Sequence, residues 1–430
     1  MKYKSYPTYK NSDIEWLGRI PHGWGITRLK FLCSICTGEK DTVDREDDGI
    51  YPFFVRSETV ERISSYSYDG EAILTAGDGA IGKIFHYING KFDFHQRVYK
   101  FSDFRGVHGR FLYYYISNNL EKEVVKLSAR TTVDSLRLPM LQNFIVSLPS
   151  IHEQITIARY LDDEVAKIDL MIAKQKRVIE LLVEKRSVAI SHLVTKGMNA
   201  DAEFKYSGID WIGEIPAHWS VKPLRYIGIC QNGINIGAEK FGSGYPFVSY
   251  GDVYNNKSLP SEIKGLVESS AKDRVIYSVN YGDVFFTRTS ETIDEIGFAS
   301  TSFSEIPNAT FAGFLIRFRP FTGIIRPEFS KYYFSNILLR AFFIKEMNLV
   351  TRASLSQDLL KLLPVVLPPL DEQKEIGDFL EKQSIAFETL ISNAKKLINL
   401  LKERRSELIF SAVTGKIDVR NWYPDAKDVA

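Results

Sequence analysis

The sequence has few cysteines, little net charge and no long apolar run. Three cysteines among 430 residues cannot build a disulfide framework, and the N-terminal residues lack the basic and then apolar order of a secretory signal. We therefore expect the chain to stay in the reducing cytoplasm. No apolar run approaches the roughly 20 residues of a membrane-spanning helix, so no membrane partner is expected. The net charge of +2 lacks the basic excess that is typical of nucleic-acid-binding proteins.

Motifs that carry catalysis, cofactors or metals are also scarce. Cys33 and Cys36 form a single C-x-x-C pair, whereas a structural zinc site needs four ligands, so free thiols are predicted. Residues Gly77–Lys83 fit G-x-x-x-x-G-K, but Ile84 stands where a phosphate-binding loop has Ser or Thr, and a glycine-rich hairpin loop is predicted. The sequence has no G-x-S-x-G, H-x-x-x-H or N-P-P-Y/F motif. It predicts no catalytic, cofactor-binding or metal site, and thus no enzyme.

The sequence contains an internal repeat. The segment WLGRIPHGW at 16–24 recurs as WIGEIPAHW at 211–219, and LPSIHEQ at 148–154 recurs as LPPLDEQ at 367–373. The first pair is offset by 195 residues and the second by 219, so the region between them is 24 residues longer in the second copy. From the second block onward the register holds without a gap. Two related domains of variable sequence therefore alternate with two blocks of fixed length.

Each fixed block has the pattern of one long helix. Ser150 and Glu153 fit a capping box at the first start, and Gly197 and Gly415 stand where the two helices are expected to end. Seam positions recur with heptad spacing in each copy, which is typical of a coiled coil. The predicted seam comprises Val165, Ile168, Ile172, Ile179, Leu182, Arg186, Phe387, Ile391, Ile398, Leu401, Arg405 and Leu408.

Chain length favours an antiparallel pairing of the two helices. A helix over 151–196 is about 65 to 70 Å long, whereas the next 15 or so residues reach roughly 50 Å at most. Parallel helices would require the chain to return along the whole first helix within that linker. We therefore predict a two-helix antiparallel coiled coil, with the two domains at its opposite ends and related by an approximate twofold.

The repeat predicts an α+β fold of two globular α/β domains joined by the coiled coil. Short strands, separated by glycine-containing turns, are predicted at 71–75, 83–87, 283–287 and 314–318, with amphipathic helices at 111–116 and 329–338. The predicted parts are a first domain at 1–148, a first rod helix at 149–197, a second domain at 198–366, a second rod helix at 367–416 and a tail at 417–430.

Local charge departs from the neutral total. Residues 95–138 contain eight Lys or Arg and four acidic residues, and residues 317–361 contain eight against three. Because Lys and Arg neutralise phosphates and Arg, Asn and Gln read base edges, both domains are predicted to bind double-stranded DNA. The heptad stretch of about 43 Å corresponds to roughly 13 base pairs, which suits a split, asymmetric site. The predicted DNA-contacting residues are Lys83, Gln96, Arg97, Arg130, Arg288, Thr289, Arg317 and Arg352.

These features together resemble the specificity subunits of type I restriction–modification systems. The resemblance is carried by the two tryptophan-flanked segments, by LPSIHEQ and LPPLDEQ, and by VTKG at 194–197 and VTGK at 413–416. It implies that each half holds a target-recognition domain followed by a conserved helix. It further implies that the first domain reads the 5′ half-site and the second the 3′ half-site, while the helices set the spacer.

The resemblance also implies the partners of this chain. Two modification subunits, which use S-adenosylmethionine to methylate adenine, would dock on it, and up to two restriction subunits with ATP- and Mg-dependent nuclease and translocase activity would join them. The chain itself would bind no cofactor and would act through DNA recognition and assembly. A methylation-only complex, and a coiled-coil interaction protein that binds no DNA, stay open as alternatives.

Overall fold

A computed structural model describes residues 4–79, 81–128, 135–290, 296–346 and 353–423. Contacts within the chain divide it into two units. Unit 1 comprises Met1–Lys176 and Lys395–Ala430, and unit 2 comprises Arg177–Ala394. Both divisions fall inside long helices, so each unit contains the start of one long helix and the end of the other.

A six-stranded sheet and a 20-residue helix dominate unit 1. Its elements are β1 (Tyr9–Asn11), β2 (Arg19–Pro21), β3 (Gly25–Arg28), β4 (Ser34–Thr37), β5 (Tyr51–Phe54), β6 (Glu61–Ile63), β7 (Tyr68–Ala76), β8 (Phe85–Phe94), β9 (Val98–Ser102), α1 (Gly109–Ser128), α2 (Leu138–Gln142), β10 (Ile145–Leu148) and the start of α3 (Ile151–Lys196). The sheet order is β4-β9-β7-β8-β5-β6. Alternate residues of β7, Ala72 and Leu74, pack against Phe92 and Phe94 of β8, as the two-residue period of a strand requires.

Unit 2 distributes most of its strands between two sheets. After the end of α3 its elements are β11 (Phe204–Tyr206), β12 (Glu214–Pro216), β13 (Ser220–Pro223), β14 (Gly228–Asn232), β15 (Phe241–Val248), α4 (Tyr250–Tyr254), β16 (Leu266–Val267), α5 (Ala271–Ile276), β17 (Val284–Thr287), β18 (Thr289–Ser290), β19 (Ala299–Thr301), β20 (Thr310–Phe311), β21 (Leu315–Pro320), α6 (Pro327–Phe334), α7 (Leu339–Glu346), β22 (Ala353–Ser354), α8 (Gln357–Leu362), β23 (Pro364–Leu367) and α9 (Leu370–Val413). The two sheets have the orders β14-β21-β17-β19 and β16-β15-β20.

The same strand connections recur in both units. Strand β3 pairs antiparallel with β10, just as β13 pairs with β23, and the order β4-β9-β7 recurs as β14-β21-β17. Strands β7, β8, β17 and β21 confirm the four predicted strands, with shifted ends. The units differ in what extends the sheet beyond β7 and β17: β8, β5 and β6 in unit 1, and β19 in unit 2.

The helices that precede the long helices differ between the units. Helix α1 contains the predicted segment 111–116 and continues to Ser128, whereas the helix predicted at 329–338 ends at Phe334. Asn336 explains the early end, because its Oδ1 accepts hydrogen bonds from the backbone N–H of Leu338 at 3.0 Å and from Ser191 Oγ at 2.6 Å. A short polar side chain that bonds the local backbone competes with a continuing helix.

The long helices α3 and α9 follow the predicted heptads. All twelve predicted seam residues are buried or half-buried, while intervening positions such as Lys174 and Glu184 are exposed. Gly197 and Gly415 follow the helices with φ of +75° and +71°, the left-handed conformation that ends helices and that glycine adopts without strain. The predicted helix ends are thereby confirmed.

In unit 1 the start of α3 lies beside the end of α9. Ser147 precedes α3, and its Oγ donates a hydrogen bond to the carbonyl oxygen of Val413, the last residue of α9, at 3.4 Å. Farther along α3, Asp169 accepts hydrogen bonds from Arg405 Nε at 2.9 Å and Nη2 at 3.3 Å. Moving forward along α3 thus moves backward along α9, so the two segments run antiparallel.

In unit 2 the end of α3 lies beside the start of α9. Ile190 and Val194 of α3 share one core with Ile376 and Leu380 of α9. Closer to the middle of both helices, Arg186 Nη1 lies 3.9 Å from Glu388 Oε1. Both arginines that were predicted at matched seam positions therefore meet a carboxylate of the other helix, within their own unit.

Candidate nucleic-acid interface

The repeated sequence motifs join the α/β part of each unit to a long helix. Glu153 in the first turn of α3 accepts hydrogen bonds from Trp24 Nε1 at 3.2 Å and from Tyr6 Oη at 2.6 Å. In unit 2, Glu372 accepts one from Trp219 Nε1 at 2.9 Å. The tryptophan that closes each WxGxIPxxW segment and the glutamate of each block are therefore partners, and both tryptophans are buried.

The predicted capping box is only half formed. The backbone N–H of Glu153 donates to Ser150 Oγ at 3.3 Å, as expected. The reciprocal bond was predicted wrongly, because the Glu153 carboxylate is oriented toward Trp24 and Tyr6 instead of the start of its own helix. A buried indole N–H needs an acceptor, and this carboxylate supplies one.

The glutamine of each block makes the same bonds in both units. Gln154 accepts from the backbone N–H of His108 at 2.8 Å and donates to the Pro149 carbonyl oxygen at 2.9 Å. Gln373 likewise accepts from the N–H of Arg326 at 2.8 Å and donates to Pro368 at 2.8 Å. The motifs that carry the family resemblance are thus structural.

Two predicted DNA contacts of unit 1, Gln96 and Arg97, lie side by side after β8. Gln96 Nε2 donates to Asp41 at 2.6 Å, and Arg97 Nη1 donates to Asp78 at 2.7 Å. Arg56, which sequence reasoning missed, donates to the same Asp78 at 3.0 Å. Burial raises the pKa of Asp78, but the bonds from Arg97 and Arg56 outweigh it and hold the pKa below its usual value. Two exposed guanidinium groups therefore share one carboxylate.

The glycine-rich loop at 77–83 connects β7 and β8 as a hairpin, which confirms that part of the sequence interpretation for the described residues. A phosphate-binding loop of the G-x-x-x-x-G-K type would instead lead from a strand into a helix. Lys83 is exposed at the end of this loop, with its Nζ 3.7 Å from Glu121 Oε1. An ion pair of this length between exposed groups is weak, so Lys83 can exchange it for a phosphate.

In unit 2, Arg288 and Thr289 follow β17 and are both half-buried. Arg288 Nη1 lies 3.5 Å from the Gly313 carbonyl oxygen, and its Nε lacks a hydrogen-bond partner among the described residues. Thr289 belongs to β18 and pairs with Ser354 of β22. These two residues are therefore adjacent, as their sequence positions require.

Arg317 differs from the other predicted contacts because it is only 5% exposed. Its guanidinium donates to Gln231 Oε1 and to the Ser278 carbonyl oxygen. Burial, together with the nearby Arg319, lowers the pKa of Arg317 to about 10. This placement gives Arg317 a role in holding β21 to neighbouring segments of unit 2. Arg130 and Arg352, at equivalent positions of the two copies, lie outside the described residues.

Much of the local positive charge is used inside the fold. In unit 1, Arg110 Nε binds Asp162 at 2.7 Å and Lys100 lies over the Tyr68 ring at 3.4 Å. In unit 2 two cations have acidic partners from other parts of the sequence: Arg319 binds Asp283 and Lys331 binds Glu381, each at 2.6 Å. The surplus of basic residues in these segments is therefore a weaker sign of a DNA surface than counting suggested.

The described part of the chain contains no group of three metal-ligating side chains and no helix long and apolar enough to cross a membrane. Cys33, Cys36 and Cys230 are free thiols, of which Cys36 is exposed. Burial raises the pKa of the Cys33 and Cys230 thiols to about 12, which makes them unreactive near neutral pH.

Known proteins resemble this chain in sequence and in fold. A family model described as "Type I restriction modification DNA specificity domain" matches residues 21–181 and 219–402. The type I restriction enzyme EcoDI specificity subunit of Escherichia coli is 30% identical over 174 residues, which span 40% of this chain and 38% of that protein. The putative type I restriction enzyme MjaX specificity subunit of Methanocaldococcus jannaschii is 24% identical over 98% of this chain and 99% of that protein.

Two solved structures support the fold. A chain described under "Structural basis underlying complex assembly and conformational transition of the type I R-M system" has a TM-score of 0.65 at 15% identity and covers 92% of this chain and 98% of its own. The HsdS subunit from Thermoanaerobacter tengcongensis has a TM-score of 0.52 at 14% identity, covering 93% and 98%. The chain therefore belongs to the family of type I restriction–modification specificity subunits, with one specificity domain matched in each half.

Proposed function

We propose that this chain reads a bipartite, asymmetric double-stranded DNA site, one half-site per specificity domain. The observation that carries the proposal is the double match of the specificity domain, at 21–181 and again at 219–402. Asymmetry is supported by the different sheets of the two units, which present different loops. Two non-identical recognition surfaces in one chain call for two different half-sites.

The proposed spacer element is one antiparallel coiled coil formed by α3 and α9. The heptads of the two helices match in sequence, which supports a continuous seam and an approximate twofold relation between the copies. The seam of about 43 Å corresponds to roughly 13 base pairs between the centres of the two half-sites.

The proposed DNA contacts are the predicted residues that are exposed or half-buried in the described part of the chain. Lys83, Gln96 and Arg97 would serve the first half-site, and Arg288 with Thr289 the second. Their bonds to Asp41, Asp78 and Glu121 would be exchanged for phosphates or base edges on binding. Arg130 and Arg352 are proposed to make matching phosphate contacts, whereas buried Arg317 is proposed to position β21.

The proposed partners are two modification subunits and up to two restriction subunits, which would use S-adenosylmethionine, ATP and Mg. The chain would supply specificity and assembly, and catalysis would belong to the partners. Large apolar side chains exposed on the long helices support docking there: in unit 1, Met171 is 50% and Leu400 61% exposed, and in unit 2, Leu390 is 52% exposed.

Methylome sequencing of the host strain with and without the gene tests this function. We expect deletion to remove one split adenine-methylation motif, and reintroduction of the gene to restore it. If no such motif disappears, the chain is not the specificity subunit of an active complex. That result would favour the alternative of a coiled-coil interaction protein that binds no DNA. Loss of methylation without any change in resistance to unmodified foreign DNA would instead identify a methylation-only complex.

Exchange of one recognition region tests whether each domain reads one half-site. Replacing the segment between β3 and β10 by that of a relative with a known target should change one half of the methylated motif and leave the other half and the spacer unchanged. A swap that changes both halves would contradict the assignment of one half-site to each domain. The matched control is the reciprocal exchange of the segment between β13 and β23.

A further inference from the structure

Unit 2 contains a cavity of about 610 Å³ beside the last turns of α3. Its walls come from α3, from α4 and the residues that follow it, from the start of β19 and from the break between α6 and α7. Volumes between roughly 300 and 1,000 Å³ are typical of sites for small ligands. No part of the DNA-contact assignment or of the junction motifs uses this cavity.

Comparison with unit 1 explains how the cavity arises. In unit 1 the helix α1 runs on without a break, and Asn118 donates to the carbonyl oxygen of Ser406 at 3.1 Å and accepts from its Oγ at 2.9 Å. The equivalents in unit 2 are Asn336 and Ser187, but Asn336 bonds Ser191, one turn farther along α3. Ser187 is left facing the cavity. The break between α6 and α7 thus opens space beside α3.

The lining contains basic side chains. Arg186, Lys257 and Arg340 line the cavity, and none of the lining residues in the described part of the chain is acidic. Arg186 Nη1 lies 3.9 Å from Glu388 Oε1, a looser contact than the one its counterpart Arg405 makes with Asp169. Lys257 is exposed, and partial desolvation of its charge, followed by the neighbouring cations Arg186 and Lys331, lowers its pKa, while Glu388 acts in the opposite direction. An anion placed here would relieve that repulsion.

Aromatic and amide groups adjoin these cations. The rings of Tyr254 and Phe298 lie 5.2 Å apart at 36°, and both residues are half-buried in the wall. The Arg340 guanidinium lies 5.6 Å from the centre of the Phe298 ring. Asn255 contributes an amide to the same wall. Aromatic faces stack on bases, amides bond base edges, and Lys and Arg bind phosphates.

We propose that this cavity binds a nucleotide, with its phosphate near Arg186 and Lys257 and its base against Phe298. The proposal adds a ligand to a chain that the family resemblance implied to bind no cofactor. A free mononucleotide and a nucleotide of bound DNA share this chemistry. Binding of a nucleotide that belongs to DNA rests on the proposed function, whereas binding of a free mononucleotide is independent of it.

Isothermal titration calorimetry of the full chain with AMP and CMP tests the proposal. We expect saturable binding of at least one of them, and affinities about tenfold lower or worse for adenosine or cytidine alone and for inorganic phosphate alone, because each probe lacks one half of the contact. Lys257→Ala and Phe298→Ala should each weaken nucleotide binding by about tenfold. Lys264→Ala, at an exposed lysine of the same unit that does not line the cavity, should leave it unchanged.

Competition with a random-sequence duplex separates the two sources. Displacement of the mononucleotide would assign the cavity to a nucleotide of DNA, and persistence would assign it to a free nucleotide. The proposal is overturned if neither AMP nor CMP binds, or if binding is indifferent to both cavity substitutions in variants whose circular dichroism is native. A protein that binds duplex DNA yet fails this test would retain the proposed function and lose only the cavity ligand.

Discussion

Unit 1 and unit 2 attach their recognition regions to the long helices through the same hydrogen bonds. The helices α1 and α6 differ one helical turn beyond the tyrosine that makes one of these bonds. Tyr115 Oη accepts from the N–H of Ser147 at 3.0 Å, and Tyr333 Oη accepts from that of Val366 at 3.1 Å. Beyond this point α1 continues through Asn118, whereas α6 stops before Asn336. The junction is therefore fixed, and a single change in how one asparagine bonds alters the neighbouring surface.

This difference teaches where the fold allows variation. The shared junction depends on three kinds of hydrogen bond: Trp to Glu, Gln to two backbone groups, and Tyr to a backbone amide. A change in either partner leaves a buried polar atom without a hydrogen bond. The segments farther from the junction have no such mutual requirement. Recognition surfaces can thus diverge while the connection to the helices stays the same.

The largest expected effect tests whether the junctions are energetically equivalent. Trp24→Ala and Trp219→Ala each remove a buried indole, 2% and 1% exposed, together with its hydrogen bond to Glu153 or Glu372. Each should lower the free energy of opening its own unit by about 3–5 kcal/mol, measured by hydrogen exchange with mass spectrometry. The matched Trp→Phe variants should lose less. A difference of more than about 2 kcal/mol between the two Ala variants would argue against equivalent junctions.

The repeat, the long helices and the heptad seam could be predicted because each depends on local spacing. Val165, Ile172 and Ile398 are buried where the seven-residue period places them. The break after Phe334 could not be predicted, because the sequence resembles that of α1 and the outcome depends on which serine of α3 Asn336 meets. That contact joins residues 145 positions apart.

The candidate site was less predictable than the fold for a related reason. Counting charges in a segment treats every Lys and Arg as available, but Arg319 meets Asp283 and Arg317 meets Gln231 through separations of 36 and 86 residues. Gln96 and Arg97 are different, since they lie in an exposed turn after β8. Only the tertiary arrangement distinguishes a cation that holds the fold from one that faces solvent.

A smaller effect should separate the two units at the position where they differ. Asn336 is 4% exposed and accepts two hydrogen bonds, whereas Asn118 is half-buried and bonds an exposed serine. We expect Asn336→Ala to destabilise unit 2 by about 1–3 kcal/mol and Asn118→Ala to destabilise unit 1 by less than about 1 kcal/mol, because the first leaves half-buried donors unpaired and the second an exposed one. Hydrogen exchange at α6 and α7, compared with α1, measures both. Equal losses of stability would mean that the two asparagines contribute equally to the stability of their units.

The smallest effect concerns the arginines of the seam. Arg405 makes two hydrogen bonds to Asp169, whereas Arg186 approaches Glu388 only to 3.9 Å, and all four side chains are partly exposed to solvent. Such pairs contribute little to stability, so Arg405→Met should lower the free energy of unfolding by less than about 1 kcal/mol, and Arg186→Met by still less. The loss for Arg405→Met should become smaller at high salt, because salt screens the ion pair. Urea unfolding at low and high salt measures this, and Lys402→Met, at an exposed position of the same helix, is the control. A larger loss for Arg186 than for Arg405 would reverse the ranking and show that the looser contact carries more of the stability of the seam.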